Sequence, residues 1–439
     1  SSDLYWKFSI LFFLLFCFLF FILKEKKSSR SDDRNFKFSV VPFQSYSLED
    51  SSETQFSLCW VENEEIANRT SFAKRFYYTD YENDNGKIYV SDLPNDTPVL
   101  WKDLNQNYSD SIFLQSCVVA ISPKYGTVFA APFDIFPGAG VWICDKEKRT
   151  LLNYEDPLQG WLYNCGIDFV YDDAGNEFCL FAEYSHARKN TRRVLKGCYP
   201  YTNPDNWKVV LEYPSGRGDE EAIFHFHHIQ KDPYSPYIYL TSGDNAEESK
   251  FFYSNDLGET WQLLISHQST GFLRCCNLIF LEDKIYWASD DNRGHFLMSA
   301  RRMPTGLLDT TTIERVADLP EYQATNALAY LEYANVLFFY DRLPSASLCN
   351  KNNWEFRDVL KVYLYDLQES KIVPLAKMNF LELPYNDAFG HRGRAYLHYS
   401  NSVDYYPILG FCRNYAPCNF NLPENQELQL GSLGYRIEF

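Results

Sequence analysis

Beyond its N-terminal end, this chain gathers its apolar residues in short runs, and no long stretch has a helical period. Stretches such as "IYLTSGDN" (238–245), "FFYS" (251–254) and "IYWASDDN" (285–292) pack Ile, Tyr, Phe, Leu and Trp together and then stop at Ser, Asp, Asn or Gly. Successive side chains of a pleated strand face opposite ways, and those polar stops favour turns. The pattern therefore predicts an all-β chain made of many short strands.

The stretches also repeat. Ile, Tyr, Ser, Asp and Asn recur at matching places in Ile238–Asn245 and Ile285–Asn292, 47 residues apart, and each copy leads to a second short run ending in Ser, "FFYS" and "FLMS". Weaker copies are "KIYVS" (87–91), "GTVFAAP" (126–132) and "EFCLFAEYS" (177–185) before the clear pair, and "NVLFFYD" (335–341) and "RAYLHYS" (394–400) after it. Units of roughly 40 to 60 residues with three or four strands mark a propeller blade, and a ring of blades removes exposed sheet edges. The count predicts a seven-bladed β-propeller, with six blades as the alternative.

The N-terminus follows another rule. Phe8 to Leu23 is an almost unbroken apolar run, with Lys7 before it and Lys24, Lys26, Lys27 and Arg30 after it. It is a little short of the ~20 residues of a spanning helix, and Tyr5 and Trp6 extend it into the interface. Lys24 and Glu25 follow at once, with no small-residue cleavage site. The expected organisation is a transmembrane anchor in residues 1–27, a polar stem in 28–37 and a propeller domain in 38–439. The basic flank alone would leave that domain in the cytosol. Cys412 and Cys418, spaced as a small disulfide loop, and the acceptor sequons at Asn68, Asn95 and Asn107 point instead to an extracytoplasmic face.

Composition narrows the partners. Aromatic residues are 18% of the chain, which suits half-buried pleated surfaces, and a net charge of −17 argues against a nucleic-acid backbone. No C-x-x-C pair has zinc-finger spacing.

In "FFYSNDLGETWQLL" (251–264), Ser254, Asp256, Gly258, Thr260 and Trp261 stand at fixed intervals around a predicted turn. That spacing resembles the Asp box, or BNR repeat, of sialidase-like propellers, and "YDDAGNEF" (171–178) resembles a degenerate copy through Asp173, Gly175 and Phe178. The order of segments from Phe178 to Asp291 is similar to poorly characterised sialidase-superfamily propellers. The resemblance implies a propeller associated with carbohydrate and a box that is structural. Sialidases proper need an early Arg-Ile-Pro-like motif, and the match here, Arg302-Met303-Pro304, stands late in the chain.

The chemistry-bearing cluster is "HFHH", His225–His228, in a chain with only eight His. On a strand His225 and His227 share one face and Phe226 and His228 the other. Two imidazoles on one face can bind a divalent metal, or one can serve as a general base. In neighbouring repeats Glu183, Asp244, Arg274 and Asp290 or Asp291 fall at comparable heights. Glu183 with Asp244 could act on a glycosidic bond, and a His base with Arg274 on a uronate would suit a lyase. Asp244 and Asp291 also fit the repeated turn. The candidate catalytic set is Glu183, His225, His227 and Arg274. The functions to be weighed are a glycoside hydrolase or polysaccharide lyase and a non-catalytic glycan- or protein-binding platform.

Overall fold

The computed structural model of the chain describes residues 37–42, 56–65, 71–80, 86–92, 98–106, 118–131, 141–146, 148–152, 166–183, 191–243, 245–266, 273–275, 277–289, 296–319, 329–331, 335–340, 359–379, 394–398, 408–412 and 433–438. Contacts divide the chain into Phe38–Arg436 and a second unit, Ser1–Lys37 with Ile437–Phe439, of which only Lys37, Ile437 and Glu438 are described. The expected anchor and the three sequons lie outside the described residues. Among the described residues no helix is long and apolar enough to cross a membrane.

Those residues form seven four-stranded sheets. After β1 (Lys37–Pro42), the strands β2 (Phe56–Glu65), β3 (Ser71–Asp80), β4 (Lys87–Ser91) and β5 (Val99–Asp103) make the first sheet. The second holds β6 (Val118–Ile121), β7 (Val128–Ala131), β8 (Val141–Cys144) and β9 (Arg149–Leu152). The third holds β10 (Ile167–Tyr171), β11 (Glu177–Ala182), β12 (Thr191–Cys198) and β13 (Trp207–Pro214). The fourth holds β14 (Phe226–Lys231), β15 (Ile238–Ser242), β16 (Lys250–Ser254) and β17 (Gln262–Ser266). The fifth holds β18 (Ile279–Phe280), β19 (Lys284–Ala288), β20 (Phe296–Arg301) and β21 (Glu314–Asp318). The sixth holds β22 (Ala329–Leu331), β23 (Val336–Tyr340), β24 (Val359–Asp366) and β25 (Lys371–Asn379). In the last, β26 (Arg394–His398), β27 (Ile408–Cys412) and β28 (Leu433–Glu438) are joined by β1 alongside β28. Two 3₁₀ turns, Pro204–Asn206 and Thr310–Thr312, are the only helical elements among the described residues.

The alternation has a simple consequence: a sheet in the middle of the series buries both faces. In β11, Cys179 and Phe181 pack with Phe129 and Ile143 of the preceding sheet. Leu180 and Ala182, one residue out of phase, pack with Phe226, Leu240 and Phe252 of the following one. The same stacking joins the fourth sheet to the fifth through Tyr239, Phe251 and Trp287, and the fifth to the sixth through Tyr286, Leu297 and Phe339. Each large apolar side chain buried this way contributes roughly 1.5–3 kcal/mol, so the series of interfaces is the core. At the start of the series, β2 is in contact with β6 of the second sheet and with β27 of the last. This is an all-β, propeller-type arrangement.

The repeats mostly mark the second strand of a sheet. "IYLTS", "KIYWA", "VFAA", "EFCLFA" and "VLFFY" are β15, β19, β7, β11 and β23, whereas "KIYVS" is the third strand β4 and "RAYLH" the first strand β26. The turn after β16 holds itself as the Ser254-to-Trp261 spacing predicts. Asp256 accepts bonds from the Thr260 N–H at 2.9 Å and its hydroxyl at 2.6 Å, and the Gly258 N–H donates to Ser254 Oγ at 2.9 Å. Burial works against the Asp256 charge, but the bonds from Thr260 and Ser254 hold its carboxyl below the usual range. Gly258 sits at φ +80°, and a Cβ there would meet Leu180 of the third sheet at 2.6 Å. From that sheet Lys196 Nζ donates to the Leu257 carbonyl at 2.7 Å, so the turn docks one sheet on the next. The turn between β10 and β11 differs from its expected form. Its acceptor is Asp172, not Asp173, taking the Ala174 and Asn176 N–H groups at 3.0 and 2.7 Å.

Candidate functional site

The candidate residues gather at the sheet ends opposite these turns. Pairing of Phe226 with Ser242 and of Ser242 with Lys250 puts the start of β14 at the far end of the fourth sheet from the 254–260 turn. Glu183 follows β11 directly, at the end of the third sheet away from the Asp172 turn. The two ends meet through the Phe226 N–H, which donates to the Glu183 carbonyl at 3.2 Å. Asp244, Cys276, Asp290 and Asp291 lie outside the described residues, and so does the proposed pairing of Glu183 with Asp244.

Glu183 is buried and bound. The Arg193 N–H donates to its Oε2 at 2.9 Å, and the guanidinium reaches both oxygens, Nη2 to Oε1 at 2.5 Å and Nε to each at 3.1 Å. Hairpin register explains the match, because Ala182 pairs with Val194 and the next residue out on each strand comes opposite its partner. A fork-to-fork pair of this kind occupies most of the carboxylate's lone pairs.

His225 and His227 meet where the chain enters β14, although His225 precedes the strand and the alternation is broken there. A bulge between Phe226 and His228 brings their Nε2 atoms to 2.8 Å, with exposures of 0% and 2%. His227 Nδ1 lies 3.2 Å from the Cys275 carbonyl, which can only accept. In the neutral pair, His227 therefore carries its proton on Nδ1, and its Nε2 accepts the Nε2–H of His225. Two imidazoles sharing a tetrahedral ion at about 2.1 Å would stand about 3.4 Å apart, farther than this hydrogen bond allows. Among the described residues no group of three or more His, Cys, Asp or Glu is placed to hold a metal ion. Arg274 is half-buried and precedes Cys275, whose carbonyl also accepts the Thr241 hydroxyl at 3.1 Å. So the segment carrying Arg274 joins the histidines through the backbone.

Three further buried charges surround this end. Arg192 is 1% exposed and its Nε donates to the Phe224 carbonyl at 2.5 Å, while Lys250, also 1% exposed, donates to the Ala222 carbonyl at 3.0 Å. Glu248 is fully buried and its Oε1 takes the N–H and side-chain amide of Asn245 at 2.9 and 2.8 Å. Burial lowers both Arg192 and Lys250, against the pull of nearby carboxylates that include Glu248. Arg192 and Lys250 thus staple the segment leading into His225. The sequence did not single them out: Arg192 is one of three basic residues in "TRRVLKGC", and Lys250 stands at the start of "KFFYS".

The period of two predicts that His228 shares a face with Phe226, and it does not: the bulge pairs Phe226 with Ser242 but His228 with Thr241, adjacent residues of β15. His228 Nε2 lies 2.6 Å from Gln230 Oε1, so the proton sits there and Nδ1 is bare and buried. Burial pushes its pKa down to about 4, with the Gln230 bond opposing and His227 adding to the fall. An unfolded His titrates near 6.5, so between about pH 6.5 and pH 4 the unfolded chain binds more protons. The stability this residue contributes is complete above about pH 6.5 and is lost as the pH falls toward 4. Urea midpoints measured down that range are expected to drop, and His228→Asn is expected to flatten the drop; equal slopes for the two proteins would contradict the assignment.

No family model matches this sequence, and no curated protein does. Among solved structures it is similar to a prolyl endopeptidase, at 12% identity and a TM-score of 0.47, over 82% of this chain and 46% of that one. It is also similar to a putative 6-phosphogluconolactonase from Bacteroides fragilis, at 12% identity and a TM-score of 0.43, over 86% of this chain and 100% of that one. A protein from Lactobacillus plantarum gives 13% identity and a TM-score of 0.43, over 83% and 99%. The chain spans about half the length of the endopeptidase, 46%. At these TM-scores the likenesses carry no argument, and the propeller-type arrangement rests on the chain's own sheets.

Proposed function

We propose that this chain is a seven-bladed propeller that recognises carbohydrate without cleaving it, anchored in a membrane by residues 8–23 and facing an extracytoplasmic space. One observation supports recognition over catalysis: Glu183, His225 and His227 are each engaged by the fold, in a guanidinium fork, a mutual hydrogen bond and a backbone carbonyl. A general acid or base needs a lone pair or proton within reach of substrate. Support for seven blades comes from the seven four-stranded sheets of the described residues and from β1 completing the last of them. Carbohydrate is supported by the resemblance of the Ser254–Trp261 turn to the Asp box of sialidase-like propellers.

A second reading, a hydrolase or lyase, is favoured by the convergence of Glu183, His225, His227 and the Arg274 segment at one end of adjacent sheets. The test is the full chain in detergent, incubated with neutral and uronate-bearing polysaccharides while new reducing ends, unsaturated uronate absorbance and binding are all followed. Binding without cleavage is the expected result; cleavage lost in His225→Ala would transfer the function to the second reading. Glycan occupancy at Asn68, Asn95 and Asn107 checks the membrane orientation, since these sequons are modified only outside the cytosol.

A further inference from the structure

The whole chain is acidic, yet one cavity is not. A pocket of about 590 Å³ opens between β5 of the first sheet and the β6–β7 and β8–β9 turns of the second. Arg75, Lys102, Lys124, Lys146, Lys148 and Arg149 line it, against the carboxylates of Asp103 and Asp145. Those carboxylates have neutral donors: Asp145 accepts the hydroxyls of Thr127 at 2.8 Å and Thr202 at 2.9 Å, and Asp103 accepts the Asn105 N–H at 2.9 Å. Glu147, between the two rim lysines, lies outside the described residues. Charges elsewhere on a molecule of net charge −17 are screened beyond about 8 Å at physiological salt, so the local excess of cations governs what enters.

The floor is built rather than accidental. Lys102 Nζ donates to the Cys144 carbonyl at 2.8 Å, and Arg149 Nη1 reaches Leu104 O at 3.3 Å and Asn105 Oδ1 at 3.2 Å, which fixes the two sheets across the cavity. Arg75 stands 3.6 Å from Asp92, and the exposed Lys146 and Lys148 form the rim. Two aromatic plates complete the walls. Trp101 lies edge-on to Tyr77 at 5.1 Å and passes over Gly126, where a Cβ would stand 3.5 Å from the indole. Tyr125 is stacked on Tyr199 at 3.9 Å, with Lys124 Nζ 5.3 Å from its ring. Flat apolar plates beside fixed cations suit a ligand with a carbon face and acidic groups at its edge, and the volume is that of an ordinary small-ligand pocket.

We propose that this cavity binds a short acidic oligosaccharide, its sulfate or carboxylate groups on the lysines and arginines and a sugar face on Trp101 or Tyr125. The sugar part rests on the carbohydrate reading above; the charge part stands on the lining. The full chain in detergent is titrated calorimetrically with a sulfated disaccharide, a uronate disaccharide, a neutral disaccharide and inorganic sulfate, at low and at physiological salt. At least one acidic disaccharide is expected to bind, more weakly as salt rises, and at least tenfold more weakly to the doubly substituted Lys146→Glu, Lys148→Glu protein. Which acidic disaccharide binds separates sulfate from carboxylate recognition. The proposal is overturned if neither acidic disaccharide binds, if the neutral one binds equally, if sulfate alone binds as tightly, or if the doubly substituted protein binds unchanged. In that last case, and where the neutral sugar binds, the chain still recognises glycans and only this site is lost.

Discussion

Asp232→Ala is expected to remove about 3–5 kcal/mol of stability, read as a lower urea midpoint. Asp232 has 0% exposure and Arg302 keeps 6% of its side chain accessible. The Arg302 fork closes on the carboxylate through Nη1 and through Nη2, the latter at 2.9 Å, while Arg302 Nε donates to the Leu281 carbonyl at 2.8 Å and Nη1 to Gly306 O at 3.0 Å. Asp232 also takes the Tyr234 N–H at 2.9 Å and the Ser235 hydroxyl at 2.5 Å. Three things are therefore lost at once: the turn after β14, the tie from the fourth sheet to the fifth, and the counter-charge of a buried guanidinium. The last dominates, because an uncompensated ion in a dry interface keeps its full desolvation penalty. The paired replacement Asp232→Leu with Arg302→Met, apolar at both ends, is expected to recover much of the loss. A single Asp232→Ala change costing under about 1 kcal/mol would show that water reaches the guanidinium.

This pair also marks the boundary of what the sequence discloses. Strand existence was legible because a short apolar run closed by turn residues is a local property, and repeats reported the same local property again in successive sheets. The Asp256 turn was legible because every donor and acceptor in it lies within a few residues. Arg302 and Asp232 are 70 residues apart, and from the sequence Arg302 stood out only as part of a late Arg-Met-Pro. The Asp172 turn shows how narrow the limit is: with two adjacent aspartates, backbone geometry decides which one accepts, and no spacing rule separates them. The histidine pair was legible as a shared face, but its 2.8 Å contact depends on a bulge that alternation does not encode. The cationic cavity was hidden by the arithmetic of the whole chain, whose net charge is −17. It exists because two sheets bring together lysines and arginines that the sequence scatters from position 75 to position 149.

Glu183 offers the sharpest separation of the two functional readings. If its partner is Arg193 and nothing else, Glu183→Gln is expected to lower stability by about 3 kcal/mol, since the buried fork loses its charge and Arg193, with 13% of its side chain exposed, keeps most of its desolvation penalty. Arg193→Met should cost a comparable amount, for the mirrored reason. In the double substitution the losses should not add: a coupling of more than about 1.5 kcal/mol is expected for groups in direct contact. Glycan binding, measured under conditions where each protein is folded, should be unchanged throughout, because the Glu183 carboxylate is taken up by Arg193 rather than offered to a ligand. A catalytic Glu183 makes the opposite pattern. Its replacement by Gln would abolish turnover while leaving the midpoint within about 0.5 kcal/mol of the parent, and Arg193→Met would alter the pH dependence of the rate rather than the stability. Additive stability losses, with coupling below about 0.5 kcal/mol, would show that the fork is not what holds this end of the third sheet, and the platform reading would lose the observation on which it stands.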